Sequence, residues 1–520
     1  MKETLFQRLL NYYQIDESTY LEMNKEVTID NFAMGHSFKD MDKAVALVKG
    51  AVANKDKIFI YGDYDADGIM STSIIVKSLL KLGVIPEFYI PNRYNDGYGL
   101  TMKKSEEVVS KGVKLVITVD NGVSAFEPIA YLKEQGVKVL VLDHHTIQGE
   151  VPNADVIIHP TYSGFGETTS SAGFVSFMFS WALLGYFDMY LSFLGAISVI
   201  SDMMPLRDYN RSFFRLAIKN YKTNKYPNIE LLSEGNPFDE NTIGMKIAPK
   251  INALGRLLDD ESINYIVHYF VTEDKNKMNR LYGWIDKVNE ERKIVSKEAE
   301  ESLKDFHSDK EAIVLYKDVK EGMIGLLANH LCSKEHKPTI IFTEEKGGEI
   351  LKGSSRAPEG FNVVDAFNAC GDLLITAGGH ALAGGCSIYK KDLDEFERRF
   401  VEYTKNNPIQ EFNEETVELG LTEITEENYA LIQTFSPFGE GMKAPLFMVR
   451  HLKTDSLMFS KSGEHLLTYV GQGVKITGFG ISRNSVAEYN YVDLIGKLRE
   501  NTYRGTTSIE LLIKDVKNSK

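Results

Sequence analysis

The chain has 520 residues and a net charge of −14, with 43% apolar and 25% charged residues. Its length rules out a single ordinary core and predicts about three domains, and its composition is that of a soluble globular protein. The negative charge argues against a nucleic-acid coat protein, whose binding face needs cations, but leaves room for an enzyme with a locally basic or metal-loaded groove.

In chain order, MKETLFQRLLNYYQID has no apolar stretch of signal-peptide length and predicts a short amphipathic helix, part of an N-terminal helical extension over residues 1–39. Strand-like and helix-like patterns then alternate. KIFIYGD is followed by the helical IMSTSIIVKSLLKLG and the strand-like PEFYIP (86–91), and VKLVITVD (113–120), VKVLVLD (137–143) and ADVIIHP (154–160) continue the series. Short β-rich runs separated by helices predict an α/β lobe with a parallel, doubly wound sheet, at residues 40–215. The most membrane-like stretch is AGFVSFMFSWALLGYF (172–187). It is shorter than the ~20 residues a bilayer requires, and Asp188 closes it, so a buried core helix is expected and no membrane contact.

Residues 216–305 are expected to be a helical connector, long, charged and helical from about 262 to 305. A second, smaller α/β lobe follows at 306–405, with strands in EAIVLY (311–316) and PTIIF (338–342). After the acidic linker EFNEETVELGLTEITEEN, the runs LFMVRHL, HLLTYVG, VKITGFG, NYVDLIGKL and TSIELLIKD predict a small OB-like β-barrel over 412–520. The three cysteines, Cys332, Cys370 and Cys386, form no CxxC or zinc spacing. So sparse and odd a set predicts a reducing, cytoplasmic setting.

Three of the strand-like runs end in aspartate: Asp63, Asp120 and Asp143. Strand C-termini in such a sheet open onto one crevice, so these acids should meet in space. A GxGxxG turn after the first strand would signal a dinucleotide cradle, but GDYDADG carries the wrong sign of charge for naked phosphate. Like charges a few ångströms apart repel unless they are protonated or bridged by cations. Asp65 and Asp67 join Asp63 in that turn, His144 and His145 stand beside Asp143, and Asp202 follows another apolar run. This mixed oxygen and nitrogen set suits Mn²⁺ or Mg²⁺ better than zinc, which prefers Cys and His. About six candidate ligands point to two ions, which could activate a water and stabilise a leaving oxygen in phosphoryl hydrolysis. His159 and His268 lack acidic company and read as structural.

Four motifs now stand in order: Asp63-Tyr64-Asp65-Ala66-Asp67-Gly68, Val119-Asp120-Asn121-Gly122, Asp143-His144-His145 and Ser201-Asp202. With them the chain resembles the DHH phosphoesterase superfamily. PNRYNDGYGL (91–100), APKINALGRL (248–257), GSSRAPEGF (353–361), GGHALAGG (378–385) and PFGEGMKAP (437–445) narrow the resemblance to the RecJ family of single-strand-specific exonucleases, over roughly residues 40 to 470. The resemblance implies a DHH lobe, a connecting helix, a DHH-associated lobe and an OB-like domain. It implies that Asp65, Asp67, Asp120, His144 and Asp202 are metal ligands, Asp120 bridging. Asp63 and Asp143 would be outer members of the cluster, and His145 a phosphate contact or a partner behind the ligands. Arg93, Arg256, Ser354 and Arg356 match positions that grip substrate phosphates, some at the 5′ end; Lys246 and Lys250 stand near Arg256 in sequence. Gly378, Gly379 and His380 resemble a substrate-binding GGH.

There are departures from the family pattern. Val319-Lys320-Glu321-Gly322 stands where RecJ proteins often have a Trp-His pair before the glycine, and GMKAP replaces a GNP-type run. The chain also stops soon after the barrel, so the extra C-terminal protein-binding domain of longer RecJ forms is expected to be absent. The implied activity is hydrolysis of single-stranded DNA, 5′→3′, releasing 5′-mononucleotides with two Mn²⁺ or Mg²⁺ ions, in DNA recombination and repair. A monomer is expected, with a single-strand-binding protein or a helicase as candidate partners. Two alternatives stay open: a DHH phosphodiesterase for short oligonucleotides or cyclic dinucleotides, and a non-catalytic DNA-binding replication scaffold.

Overall fold

A computed structural model describes residues 3–33, 38–97, 99–165, 169–345, 347–409, 415–470, 474–503 and 506–519. Its first sheet is formed by β1 (Ile58–Tyr61), β2 (Glu87–Tyr89), β3 (Leu115–Val119), β4 (Lys138–Leu142) and β5 (Val156–Ile158). All pairs are parallel, in the order β2-β1-β3-β4-β5. The inner strands are covered on both faces, which is why they read as unbroken apolar runs. On one face Phe59, Tyr61, Val116, Val139 and Val141 share a core with Val108, Ile129 and Leu132 of helices Met102–Ser110 and Phe126–Glu134. Helix Ala66–Lys81 packs on β1 and β3, and against helices Ala172–Leu184 and Met189–Ser201. The strand order reverses between β1 and β3, and the C-terminal mouth at such a reversal is where ligands bind in open α/β sheets.

The apolar stretch at 172–187 forms the thirteen-residue helix Ala172–Leu184, buried along most of its length and closed by Gly185 in the left-handed region at φ 78°. Among the described residues no helix is long and apolar enough to cross a membrane. The continuous helix expected over 262–305 is broken. A 3₁₀ turn Glu261–Asn264 and helix Tyr265–Val271 precede helix Lys275–Glu301. Thr272 is extended, and Asp274 starts the new helix by accepting from the backbone N–H of Asn276 and Lys277.

The second sheet contains β6 (Ile313–Tyr316), β7 (Thr339–Glu344), β8 (Ile350–Arg356), β9 (Leu374–His380) and β10 (Ala383–Tyr389), in the order β6-β7-β8-β10-β9. Only β6 and β7 pair in parallel, joined by helix Glu321–Glu335. Both sheets belong to one compact unit, His36–Asp202 with Ala217–Phe412.

The other unit comprises Met1–Gly35, Met203–Leu216 and Asn413–Lys520. Its sheet orders β11 (Val417–Glu418), β12 (Phe447–Lys453), β13 (Leu466–Val470), β14 (Val474–Gly478), β15 (Tyr491–Tyr503) and β16 (Thr506–Asn518) as β11-β12-β15-β16-β14-β13. The chain leaving β12 bridges back to β13 through Phe459 and Leu466, linking the two sides of the sheet. The N-terminal helices, expected as a separate extension, belong to this same unit. Arg8 donates to the Glu418 carbonyl and the Glu423 carboxylate, and the rings of Tyr13 and Tyr20 lie 5.3 and 4.8 Å from Phe435. The domain boundary expected at 215/216 falls inside helix Asp208–Tyr221, one residue before the division of the two units between Leu216 and Ala217. The expected start of the last domain, residue 412, lies outside the described residues, as do the linker's residues 411–414.

The quoted PFGEGMKAP stretch has a local structural role in this unit. Buried Arg211 donates to the carbonyls of Phe435 (2.9 Å), Ser436 (2.7 Å) and Pro437 (3.0 Å). Replacing Arg211 by Met leaves three carbonyls without these donors, which should cost about 2–4 kcal/mol. The expected result is a lower urea midpoint for Arg211→Met by circular dichroism; an unchanged midpoint would count against this anchoring role.

Candidate metal centre

The site is assembled from the turns that follow β1, β3 and β4. After β1, Asp65 caps helix Ala66–Lys81 by accepting from Gly68 N–H at 3.0 Å. Gly68 is required here, because a Cβ would lie 2.6 Å from the backbone and Cβ of Asp63. After β3, Asp120 takes a left-handed conformation (φ 60°) while its N–H donates to Leu142. Asn121 ties the two strand ends together, donating to the carbonyls of Gly62 (3.0 Å) and Val119 (2.9 Å).

After β4, the Asp143 carboxylate is fully engaged. It accepts from the N–H of Val123 (2.9 Å) and of His144 (2.7 Å), and its Oδ1 lies 2.8 Å from His145 Nδ1. Asp143 therefore orients the His145 ring from behind and fixes the backbone of His144. His159, read as structural, lies 2.9 Å through Nε2 from the His145 carbonyl and so steadies the same turn. Asp67 is likewise shared: Ala172 and Gly173 N–H, at the start of helix Ala172–Leu184, donate to it at 2.8 and 2.7 Å, and Ser198 Oγ at 2.6 Å. It thereby satisfies orphan donors of that helix.

One atom organises the whole. His144 Nε2 lies 3.2 Å from Asp120, 3.6 Å from Asp67 and 3.5 Å from Asp202. Three overlapping donor groups come within 4.8 Å: Asp120-His144-His145, Asp67-His144-Asp202 and Asp63-Asp65-Asp120. Burial, and then the charge of Asp65, pushes Asp63 up to about 8. Burial, and then the neighbouring aspartates, raises Asp120 and Asp202 well above the ordinary carboxylate range; Asp65 is raised by burial and Asp67. Burial holds His144 below its ordinary value. His145 goes the other way, because Asp143's hydrogen bond and charge outweigh its burial. Buried oxygens Asp63 Oδ1 and Asp202 Oδ2 accept no hydrogen bond. Hard oxygen donors, too crowded to ionise together and left without hydrogen-bond donors, fit divalent cations.

Of the residues expected to grip phosphate, Arg93, Arg256, Ser354 and Arg356 line one cleft of about 460 Å³, with Tyr64 from the acidic turn also in its wall. Arg93 sits over the Tyr64 ring at 4.4 Å, and Arg256 donates to the Gly322 carbonyl at 3.0 Å. Burial, then the charges of Arg93 and Arg356, lowers Arg256 to about 10. Two expectations take another form. Lys246 and Lys250 do not accompany Arg256; both bond the Glu234 carboxylate at 2.6 Å. Gly378, Gly379 and His380 are exposed on β9 and do not line the arginine cleft, although Gly378 pairs with Gly385, which does.

Sequence reasoning missed Asn252, whose Oδ1 accepts the N–H of Ala66 at 2.8 Å and pins the acidic turn. It stands within the quoted APKINALGRL, as does Gly255, where a Cβ would meet the Tyr64 carbonyl at 2.4 Å. The position of Asn252 one turn before Arg256, on the same face of that helix, was the available signal.

The DHH family N-terminal domain matches residues 57–193, the DHHA1 domain 309–406 and the RecJ OB domain 416–515. The single-stranded-DNA-specific exonuclease RecJ of Bacillus subtilis (strain 168) is 32% identical over 92% of this chain; the chain spans 63% of that protein's length. The RecJ of Haemophilus influenzae is 29% identical over 95% of this chain and 94% of its own. In fold, the chain is similar to the crystal structure of RecJ in complex with Mn²⁺ from Thermus thermophilus, with a TM-score of 0.85, 24% identity, and coverage of 99% of this chain and 76% of that one.

The raised acids predict a pH dependence for the metal-free protein. A carboxyl whose folded pKa is raised keeps a proton that the unfolded chain has released, so stability falls as pH rises toward the folded value. Between about pH 7.5 and about 8, the value for Asp63, the lowered histidines His144, His159 and His268 are largely neutral in both states and do not oppose this. With chelator present, the thermal midpoint should fall across that window, and added Mn²⁺ should restore it at pH 8. Scanning calorimetry reads both; a midpoint that is level or rising in chelator would contradict the assignment.

Proposed function

This chain belongs to the RecJ family of the DHH phosphoesterases, and from that premise we propose that it is a metal-dependent exonuclease on single-stranded DNA. It works 5′→3′ and releases 5′-mononucleotides, in DNA recombination and repair. The observation that carries this reading is the pairing, within one unit, of the carboxylate cluster around His144 with the arginine cleft that shares Tyr64 with it.

Asp63, Asp65, Asp67, Asp120, His144 and Asp202 would hold two Mn²⁺ or Mg²⁺ ions. Bound divalent cations supply Lewis-acid stabilisation of the charge developing at the phosphorus and lower the pKa of the attacking water. Asp143 keeps the His145 ring in place and holds His144 by its backbone N–H, and the more exposed ring of His145 donates to a phosphate oxygen from the side opposite Asp143. Arg93, Arg256 and Arg356 offer guanidinium forks, and Ser354 a hydroxyl, to the phosphate at the 5′ end of the strand. Gly378, Gly379 and His380 support the strand along β9.

The OB domain favours a polymer over a dinucleotide, because exposed rings such as Tyr469 and Phe479 offer stacking faces to successive bases. A scaffold role would leave a full set of ligands without a purpose. The protein acts as a cytoplasmic monomer on strands delivered by a helicase or a single-strand-binding protein.

A time course with Mn²⁺ on one roughly 30-nucleotide strand, labelled at either end in separate tubes, tests the reading. Immediate release of labelled mononucleotide from the 5′-labelled strand, with a descending ladder from the 3′-labelled one, is expected. An intact strand alongside a consumed dinucleotide would overturn it in favour of the small-substrate phosphodiesterase. Asp120→Ala should reduce cleavage by at least about 10³-fold, because it removes a ligand common to two donor groups; normal turnover would exclude Asp120 from the centre.

A further inference from the structure

The arginine cleft contains a carboxylate that a phosphate site does not need. Glu321, the first residue of helix Glu321–Glu335, lines the same wall as Arg93, Arg256 and Arg356. Its cation partner is Lys352 at 3.4 Å, and Lys352 is also held by Glu345 at 3.2 Å. Among the described residues none of the three arginines has a carboxylate within ion-pair distance. Arg256 donates to the Gly322 carbonyl, Arg356 to the Ser355 carbonyl at 2.7 Å and to Ser354 Oγ at 3.2 Å, and Arg93 lies over Tyr64 with its buried Nε lacking a hydrogen bond.

Three guanidiniums with no carboxylate paired directly to them, beside the start of helix Glu321–Glu335, attract an anion. Glu321 works against them. Its carboxylate adds a negative charge to the wall and occupies Lys352, which would otherwise serve the same anion. Like charges placed together in a partly desolvated cleft weaken binding steeply. Each round of 5′→3′ cleavage leaves a new 5′-phosphate on the strand, so a cleft without this counterweight would hold every new end more tightly than the hydroxyl end it first met.

We propose that Glu321, restrained by Lys352, is a specificity-determining residue that limits the negative charge this cleft accepts, narrowing its preference for a 5′-phosphate end over a 5′-hydroxyl end. The inference rests on the reading of this cleft as the seat of the strand's 5′ end.

The test is binding in chelator, where no cleavage occurs, followed by fluorescence anisotropy. The probes are two strands of one sequence, labelled at the 3′ end and carrying either a 5′-phosphate or a 5′-hydroxyl. Glu321→Gln should raise the affinity ratio, phosphate over hydroxyl, by about tenfold relative to wild type. Lys352→Met should lower it, which keeps the inference testable if the first variant misfolds. A ratio unchanged in both variants, or equal changes for both ends, overturns the inference alone. A wild-type protein that binds neither strand overturns the exonuclease reading and this inference with it.

Discussion

Buried carboxylates at the mouths of adjacent parallel strands repel one another, and the surrounding structure keeps them together all the same. Asp63 and Asp202 each keep a buried oxygen that no hydrogen-bond donor reaches, while Asp67 and Asp143 are richly supplied with donors. This division has a consequence. Asp143 fixes the geometry by holding the histidine turn, Asp67 both satisfies the start of helix Ala172–Leu184 and faces His144 Nε2 at 3.6 Å, and the undersupplied oxygens offer cations lone pairs with no other partner. A cluster in which every oxygen had its own N–H donor would be stable and chemically inert.

The framework around the cluster follows from the same need. The reversal of strand order between β1 and β3 opens the space at their C-terminal ends, and Asn121 keeps those ends at a fixed spacing. Helix Ala248–Leu257 closes on the turn from the other side. Asn252 holds the Ala66 N–H, and the absence of a side chain at Gly255 allows contact with the Tyr64 carbonyl. A turn carrying three like charges would otherwise splay apart. Its neighbour across the chain, Gly322, is as tightly placed, since a Cβ there would lie 2.3 Å from the Arg256 carbonyl. The arginine cleft thus inherits its geometry from the same helix that pins the acids.

The strands, the buried helix at 172–184 and the acid-ended runs were legible in the sequence because each depends on local pattern. Period, length and the residue at the end of a run are properties of a few consecutive positions. The acids carried further still, since a parallel sheet gathers its strand ends by topology alone. The broken connector was less legible: Thr272 and Asp274 are ordinary residues in a charged stretch, and only the new N-cap reveals the break. Lys246 and Lys250 misled because nearness in sequence to Arg256 does not decide direction on a helix, and both reach Glu234 instead.

By itself the sequence determined which groups must carry charge in this protein: the acids and histidines after β1, β3 and β4, Asp202, and the arginines of the quoted motifs. It could do so because a charged residue at the end of an apolar run has few places to go. Only the tertiary structure decided how those groups divide the work. That His144 Nε2 lies among three carboxylates, and that Glu321 and Lys352 share a wall with three arginines, depends on packing between segments up to hundreds of residues apart. Such contacts are fixed by burial and hydrogen-bond satisfaction across the whole core, and no local pattern records them.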